Sequence, residues 1–201
     1  MTPEIVLICV LAAWLELDTT YAFQLTFSRG IIAGPLFAII TGNWLAGIQV
    51  GVFTELLFAD VNPLGAVLPP SAVVCCAVSM ALDALGIELC FAFVGGVLSA
   101  FLFAKVEHYM RKRRVGVLPY WERRIVQKPN TINRIVAFEL VANVLVNFVL
   151  ISLFVCISSY LLRWLVPHLS LRSIIATRFA YMAVPWLGLA SLIPEFRLKK
   201  R

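Results

Sequence analysis

The chain has 201 residues, of which 61% are hydrophobic and 14% are charged, and its mean hydropathy is +0.92. A soluble domain with so much apolar surface would aggregate, so the composition indicates an integral membrane protein and excludes an ordinary soluble enzyme. The net charge of +6 does not indicate nucleic acid, because the basic residues concentrate in one internal segment and at the C-terminus. We therefore expect a lipid bilayer as the surroundings and no nucleic-acid partner.

The first apolar run covers residues 3 to 24. Met1 to Pro3 lacks a basic leader region, and Glu4, Glu16 and Asp18 frame the run. These features favour a retained membrane segment over a cleaved signal peptide.

Cysteine and histidine usage gives no indication of a metal site. The cysteines lie within apolar runs without ligand spacing and are odd in number, which predicts buried thiols rather than a disulfide framework: Cys9, Cys75, Cys76, Cys90 and Cys156. The only histidines, His108 and His168, lie near charged segments. We therefore expect neither a bound metal nor another cofactor.

Six further apolar runs follow the first. They cover residues 30 to 50, 51 to 61, 71 to 86, 88 to 104, 135 to 162 and 173 to 193. The runs on either side of residues 62 to 70 are too short to cross a hydrocarbon core of roughly 30 Å as helices. We predict an all-α, polytopic protein with about six hydrophobic segments, including a proline-broken hairpin that re-enters the membrane.

The stretch from residue 51 to residue 71 places polar groups inside this apolar sequence. Glu55 lies on the first arm, and Asn62 and three prolines follow before Ser71. Because prolines cannot continue a helix, the chain must open between the arms, and Ser71 is expected to cap the helix that follows. Ionisable groups and open backbone at membrane depth are typical of a substrate site in secondary transporters.

A basic segment occupies residues 105 to 134, which we predict to be a cytoplasmic loop by the positive-inside rule. It includes Pro119-Tyr120-Trp121 between two basic clusters. One interpretation is an interfacial anchor that sets the topology, and the other is a docking surface for an acidic soluble protein. In the next run, Glu139, Asn143 and Asn147 share one helix face, which is expected to point into the bundle.

The sequence contains no phosphate-binding loop, nucleophile elbow or metal-binding helix motif, so a self-contained enzyme is not expected. Its polar groups suit a neutral polyhydroxylated solute, with Glu55, Asp60 and Asn62 bonding hydroxyl groups and Trp44, Phe53 and Phe58 covering apolar sugar faces. Structural alternatives remain open. Glu55 could form an ion pair with Arg29, Asn62 could cap the broken helix, and Arg29 could extend to the lipid headgroups.

The chain resembles the membrane subunit IIC of the mannose/fructose/sorbose family of bacterial sugar phosphotransferase systems. The resemblance is strongest over residues 28 to 71 and is carried by Ser28-Arg29-Gly30, Ala33-Gly34-Pro35-Leu36, Thr41-Gly42-Asn43, Gly51-Val52-Phe53-Thr54-Glu55-Leu56-Leu57, Asn62-Pro63-Leu64-Gly65 and Pro69-Pro70-Ser71. Gly30, Asn43 and Ser71 stand where the family has proline, aspartate and aspartate. The chain also ends earlier than family members generally do.

This resemblance implies a multi-pass sugar permease subunit in the bacterial inner membrane. It implies pairing with an IID membrane subunit, cooperation with soluble IIA and IIB phosphocarrier proteins, and an oligomeric assembly. It also implies that phosphoryl transfer takes place on those partners. A mobile core carrying the sugar would include the broken segment from residue 51 to residue 86.

We therefore predict a single membrane domain over residues 1 to 201 that translocates a hexose or an amino sugar. The candidate substrate-binding residues are Arg29, Asn43, Glu55, Asn62 and Ser71. Two alternatives remain. Asn43, Ser71 and the short C-terminus would suit a non-transporting scaffold or regulator derived from such a permease. The other alternative is an unrelated carrier with its own coupling ion.

Overall fold

A computed structural model describes residues 2–20, 25–59, 69–127 and 132–198. Within these ranges every regular element is a helix, which confirms the all-α prediction. The helices are α1 (Pro3–Leu15), α2 (Leu17–Thr20), α3 (Gly30–Thr41), α4 (Trp44–Phe58), α5 (Ala72–Ala84), α6 (Leu89–Gln127), α7 (Ile132–Leu165) and α8 (Leu171–Leu198), with a 3-10 turn (Val166–His168) between the last two.

Two length classes divide these helices. In the described part of the chain, three segments are long and apolar enough to cross a membrane: Leu89–Gly116, Ile132–His168 and Leu171–Ser191. By contrast, α1, α3, α4 and α5 have 12 to 15 residues each. At ~1.5 Å per residue they are about 18 to 22 Å long, which is less than the hydrocarbon thickness of roughly 30 Å. The predicted short arms on either side of residues 62 to 70 are confirmed.

The predicted boundary between the second and third apolar runs is wrong. The chain breaks at Gly42 and Asn43, not near residue 50, so the two runs regroup into α3 and α4. Gly42 has a left-handed φ of 73° and donates its N–H to the carbonyl of Ala38, which ends α3. Asn43 then accepts the N–H of Ala46 and starts α4. A left-handed glycine followed directly by a capping residue stops one helix and begins the next, even in uniformly apolar sequence.

The first predicted segment, residues 3 to 24, is also interrupted. Helix α1 ends at Leu15, and α2 is a separate element of four residues. Glu16 lies at the junction and is only 3% exposed. Residues 21–24 lie outside the described part of the chain.

The prediction of a basic loop from residue 105 is wrong as far as residue 127, because α6 continues without a break to Gln127. Lys, Arg and Glu are strong helix formers, and Glu107 pairs with Arg111 one turn later. Residues 128–131 lie outside the described part. The cytoplasmic location of this segment stays a prediction.

Helix α5 lies at the centre of the bundle. Its residues from Val73 to Leu82 are completely buried, and α1, α3, α4, α6 and α7 all pack against it. Gly96 of α6 lies so close to α5 that a Cβ there would collide with the hydroxyl of Ser79 and the carbonyl of Cys75. The prediction of buried thiols is confirmed except at Cys156, which is exposed on α7.

Helices α6 and α7 run antiparallel. The hydroxyl groups of Ser99 and Ser158 lie 3.3 Å apart, and further along the pair Arg114 donates to the side-chain oxygen of Asn143. Asn143 and Asn147 are buried as predicted. Glu139 is exposed, so its predicted inward orientation is wrong.

Helix α8 lies at the periphery of the bundle. Its Arg178 forms an ion pair with Glu88, the residue before α6. The hydrogen bond from Arg178 lowers the pKa of Glu88, so the pair is fully formed at neutral pH and weakens as the pH falls through that lowered value. Both side chains are exposed, so the pair contributes little to stability.

Candidate functional site

Glu55 lies near the end of α4, and its carboxylate joins α4 to the start of α3. Its Oε1 accepts a hydrogen bond from Nη1 of Arg29 at 2.9 Å. Its Oε2 accepts one from the backbone N–H of Gly30 at 2.9 Å. The first N–H groups of a helix have no partner within that helix and carry partial positive charge. Glu55 therefore forms an ion pair and also caps α3.

This pair is open to a ligand. The side chain of Arg29 is 65% exposed and that of Glu55 is 29% exposed. An ionised carboxylate has about four acceptor positions and a guanidinium has five N–H donors, so both groups retain capacity beyond their mutual contact. The site can accept hydrogen bonds from hydroxyl groups on one side and donate to them on the other.

Two contacts with α6 show how deep this pair lies. Phe53 and Phe58 flank Glu55, and their ring centroids lie 6.3 Å from that of Phe93 and 5.9 Å from that of Phe101, respectively. At ~1.5 Å per residue, Phe93 and Phe101 lie about 6 and about 18 Å beyond the first residue of α6. Both belong to the apolar segment Leu89–Gly116. Glu55 therefore lies level with the membrane-crossing part of α6 and not at its polar end.

The ends of other short helices come together near Glu55. Thr54 donates its hydroxyl to Sγ of Cys75 at 3.4 Å, which joins the end of α4 to the first turns of α5. Sγ of Cys76 lies 3.9 Å from the carbonyl oxygen of Gly30, at the start of α3. The start of α3, the end of α4 and the start of α5 thus lie in one layer of the bundle.

Ser71 occupies the N-cap of α5, as predicted. Its hydroxyl accepts the N–H of Val74 at 3.1 Å, and the residue is 8% exposed. It lies one turn before Cys75, the residue that contacts Thr54. Ser71 therefore belongs to the same layer as Glu55, although its hydroxyl already serves the helix.

Asn43 is not near Glu55. It caps the opposite end of α4, about 18 Å away along the helix at ~1.5 Å per residue. Its Nδ2 donates to Oδ2 of Asp83 at 2.9 Å, and its Oδ1 accepts the N–H of Ala46. The structure brings Arg29 and Glu55 together and leaves Asn43 in a separate contact at the end of α5.

Other predicted contacts fall outside the site or outside the description. Asp60 and Asn62 lie among residues 60–68, which the structure does not describe. Phe53 packs against Phe93 and Tyr181, and Phe58 packs against Phe101, so both rings serve contacts between helices. Trp44 is exposed at the start of α4, at the end remote from Glu55.

Sequence reasoning missed two carboxylates that bind a candidate residue or the loop before one. Asp83 accepts the hydrogen bond of Asn43, and Asp18 accepts backbone N–H groups of the loop before Arg29. Each is an acid within or beside an apolar run. That property led to Glu55 and would also have led to these two residues.

Comparison with family models matches residues 2–198 to EII-Sor, described as the PTS system sorbose-specific IIC component. The match extends far beyond residues 28 to 71, where the sequence resemblance is strongest. Comparison with curated proteins finds no match.

Proposed function

The chain belongs to the family of sorbose-specific IIC components of the sugar phosphotransferase system, and from this premise we propose that Arg29 and Glu55 form the polar centre of its sugar site. As a family member it is a multi-pass permease subunit of the inner membrane that translocates sugar. It is a transport subunit and not itself the phosphotransferase. Neither the scaffold nor the ion-coupled carrier is favoured by any feature of the described residues.

The observation that carries the proposal is a partly exposed ion pair level with the apolar segment of α6. A charged side chain at such a depth costs at least about 2.5 kcal/mol, so it is normally present for a ligand or a partner. If the ion pair served only to join two helices, we would expect it to be buried and closed to a ligand. Such a role does not explain why Arg29 is left 65% exposed beside the ends of short helices.

The chemistry of the pair suits a hexose or an amino sugar. Glu55 accepts from adjacent hydroxyl groups or from an amino group, while Arg29 donates to hydroxyl and ring oxygens. Charge-assisted hydrogen bonds of this kind are about twice as strong as neutral ones. Asn62, which lies outside the described residues, and Ser71, at the start of α5, remain proposed contributors. Asn43 would contribute only at the other end of α4.

We place phosphoryl transfer on separate IIA and IIB proteins, with a IID membrane subunit completing an oligomeric complex. The two histidines support this division of labour, because His108 lies on the basic part of α6 and His168 in the turn before α8, away from Glu55. The exposed Lys105, Lys112 and Arg113 on α6 offer a basic surface for an acidic soluble partner.

Replacement of the carboxylate tests the site. The variant Glu55→Gln keeps the size of the side chain but loses its charge, so we expect phosphoenolpyruvate-dependent sugar uptake at subsaturating sugar to fall by about tenfold to a hundredfold. That range corresponds to roughly 1.5 to 3 kcal/mol for a hydrogen bond to a charged group. Uptake is measured in vesicles that contain the chain with its partner proteins.

The matched control is Glu4→Gln, which removes an exposed carboxylate from the first turn of α1. Its uptake should equal that of the unchanged protein. Thermal unfolding in detergent shows whether each variant is folded. If folded Glu55→Gln protein took up sugar as well as the control, the assignment of the site would be wrong.

A further inference from the structure

We propose that Asp18 is a positioning residue of the sugar site, which fixes the loop that delivers Arg29 to Glu55. This inference rests on the proposed function of that pair. Asp18 itself has no contact with Glu55 in the described structure; it acts through residues 25–28 and the start of α3.

Both oxygens of Asp18 are used by this loop. Oδ1 accepts the backbone N–H of Leu25 at 2.7 Å, and Oδ2 accepts that of Ser28 at 3.2 Å. Asp18 is only 7% exposed, so its carboxylate is removed from water. Burying a carboxylate is costly unless hydrogen bonds compensate for the lost water. The loop thus satisfies the charge of Asp18, and Asp18 in turn determines where the loop lies.

The turn between these two contacts is strained. Thr26 has a φ of 66°, an unfavourable left-handed conformation for a β-branched residue. Such a conformation persists only where the surrounding contacts determine it. The two hydrogen bonds of Asp18 bracket Thr26, and the N–H of Arg29 donates to the carbonyl of Thr26 at 3.1 Å. Asp18 therefore stabilises a turn that the local sequence does not favour.

The end of this turn sets the position of the guanidinium. Arg29 is the N-cap of α3, with extended backbone angles, and its carbonyl accepts the N–H groups of Ile32 and Ala33. Its backbone N–H directly follows the Ser28 peptide that Asp18 binds. Hydrogen bonds weaken steeply once their geometry departs from the preferred range, so a displaced guanidinium would bind sugar hydroxyl groups less well. If the loop were free to shift, Arg29 would lose its 2.9 Å contact with Glu55.

The test variant is Asp18→Asn, which keeps the shape but turns an NH₂ group toward a backbone N–H. We expect the sugar concentration for half-maximal uptake to rise about tenfold while the maximal rate changes little. The variant leaves Glu55 and the expected mobile core unchanged. The control is again Glu4→Gln on α1, which removes an exposed carboxylate.

A double-mutant cycle with Arg29→Lys distinguishes positioning from a general effect on folding. If Asp18 acts through Arg29, Asp18→Asn adds little to the defect of Arg29→Lys, since the geometry it supports is already lost. Equal effects of Asp18→Asn in both backgrounds, or an unchanged half-maximal concentration, would overturn the inference.

Two outcomes separate this inference from the proposed function. If Glu55→Gln impairs uptake and Asp18→Asn does not, the inference alone fails. If Glu55→Gln has no effect, the proposed function fails whatever Asp18→Asn does. If Asp18→Asn does not fold, hydrogen exchange in the unchanged protein tests the inference instead. The amides of Leu25 and Ser28 should exchange slowly and more slowly still with bound sugar, and rapid exchange under both conditions would contradict the inference.

Discussion

Asn43 makes two contacts with different ends of its amide group, and only an amide can make both. Its oxygen accepts the N–H of Ala46, and its nitrogen donates to Asp83. The resembled family has aspartate at this position. An aspartate could still cap α4, but it would place a second carboxylate against Asp83. Asn43 is therefore matched to Asp83 within this chain.

This match predicts a reciprocal rescue. The variant Asn43→Asp should lower the free energy of unfolding by about 0.2 to 1 kcal/mol at neutral pH, because a donor is replaced by a like charge in an exposed contact. This loss of stability should be smaller in acid, where protonation of one carboxyl group removes the repulsion between the two. The double variant Asn43→Asp with Asp83→Asn restores a donor and an acceptor and should recover most of the stability. Thermal unfolding in detergent measures all three, and a double variant no more stable than the single one would contradict the pairing.

At the scale of elements, α3 and α4 form an antiparallel pair whose backbones touch. Gly30 and Gly34 of α3 face Gly47 and Gly51 of α4, and a Cβ on Gly51 would lie 2.5 Å from the carbonyl oxygen of Gly30. Small residues permit this approach in lipid, where van der Waals packing drives helix association. The close contact also brings the N–H of Gly30 within hydrogen-bonding distance of Glu55.

A single methyl group should disturb this pair. The variant Gly34→Ala would collide with the backbone of Gly47 and Gly51, so we expect a loss of about 2 to 4 kcal/mol in the free energy of unfolding. The matched variant Gly116→Ala, on α6, has nothing within 4 Å of the new methyl group. It should be neutral or stabilising by up to about 1 kcal/mol, because alanine favours a helix. Equal unfolding temperatures for the two variants would show that the close contact does not matter.

In the whole molecule, the long helices and the short helices have different roles. With 39 and 34 residues, α6 and α7 are about 58 and 51 Å long at ~1.5 Å per residue, well beyond the hydrocarbon core. The short helices are shorter than that thickness, and the start of α3, the end of α4 and the start of α5 meet near Arg29 and Glu55. Long helices provide the span, and short ones expose polar groups at depth.

The antiparallel arrangement of α6 and α7 predicts which side of the membrane each helix end reaches. By the positive-inside rule, we expect the basic part of α6 to face the cytoplasm and the turn between α7 and α8 to face outward. In a background with Cys156→Ser, the variant Lys112→Cys should react with an impermeant thiol reagent only from the cytoplasmic side. Ser170→Cys, in the turn before α8, should react only from outside. Both residues are exposed. Labelling of both from the same side would refute this topology.

Several features of the fold follow from neighbouring residues and were therefore predictable. Hydropathy identified α5 and α7, and the Pro69-Pro70-Ser71 pattern identified the cap of α5. The end of α3 also depends on neighbouring residues, Gly42 and Asn43. It was missed because hydropathy does not change there. The continuation of α6 to Gln127 was missed because its charged residues were taken to indicate a loop, although these residue types favour a helix.

The class of protein, the short arms around the prolines and the family could be predicted from the sequence, because each depends on composition or on order along the chain. Which polar groups meet could be read only from the folded bundle. Glu55 contacts Arg29, Asn43 contacts Asp83, and Asp18 contacts the loop before α3. The physical reason is that a buried polar group must find a partner in space, and helix packing, not distance along the chain, brings that partner to it.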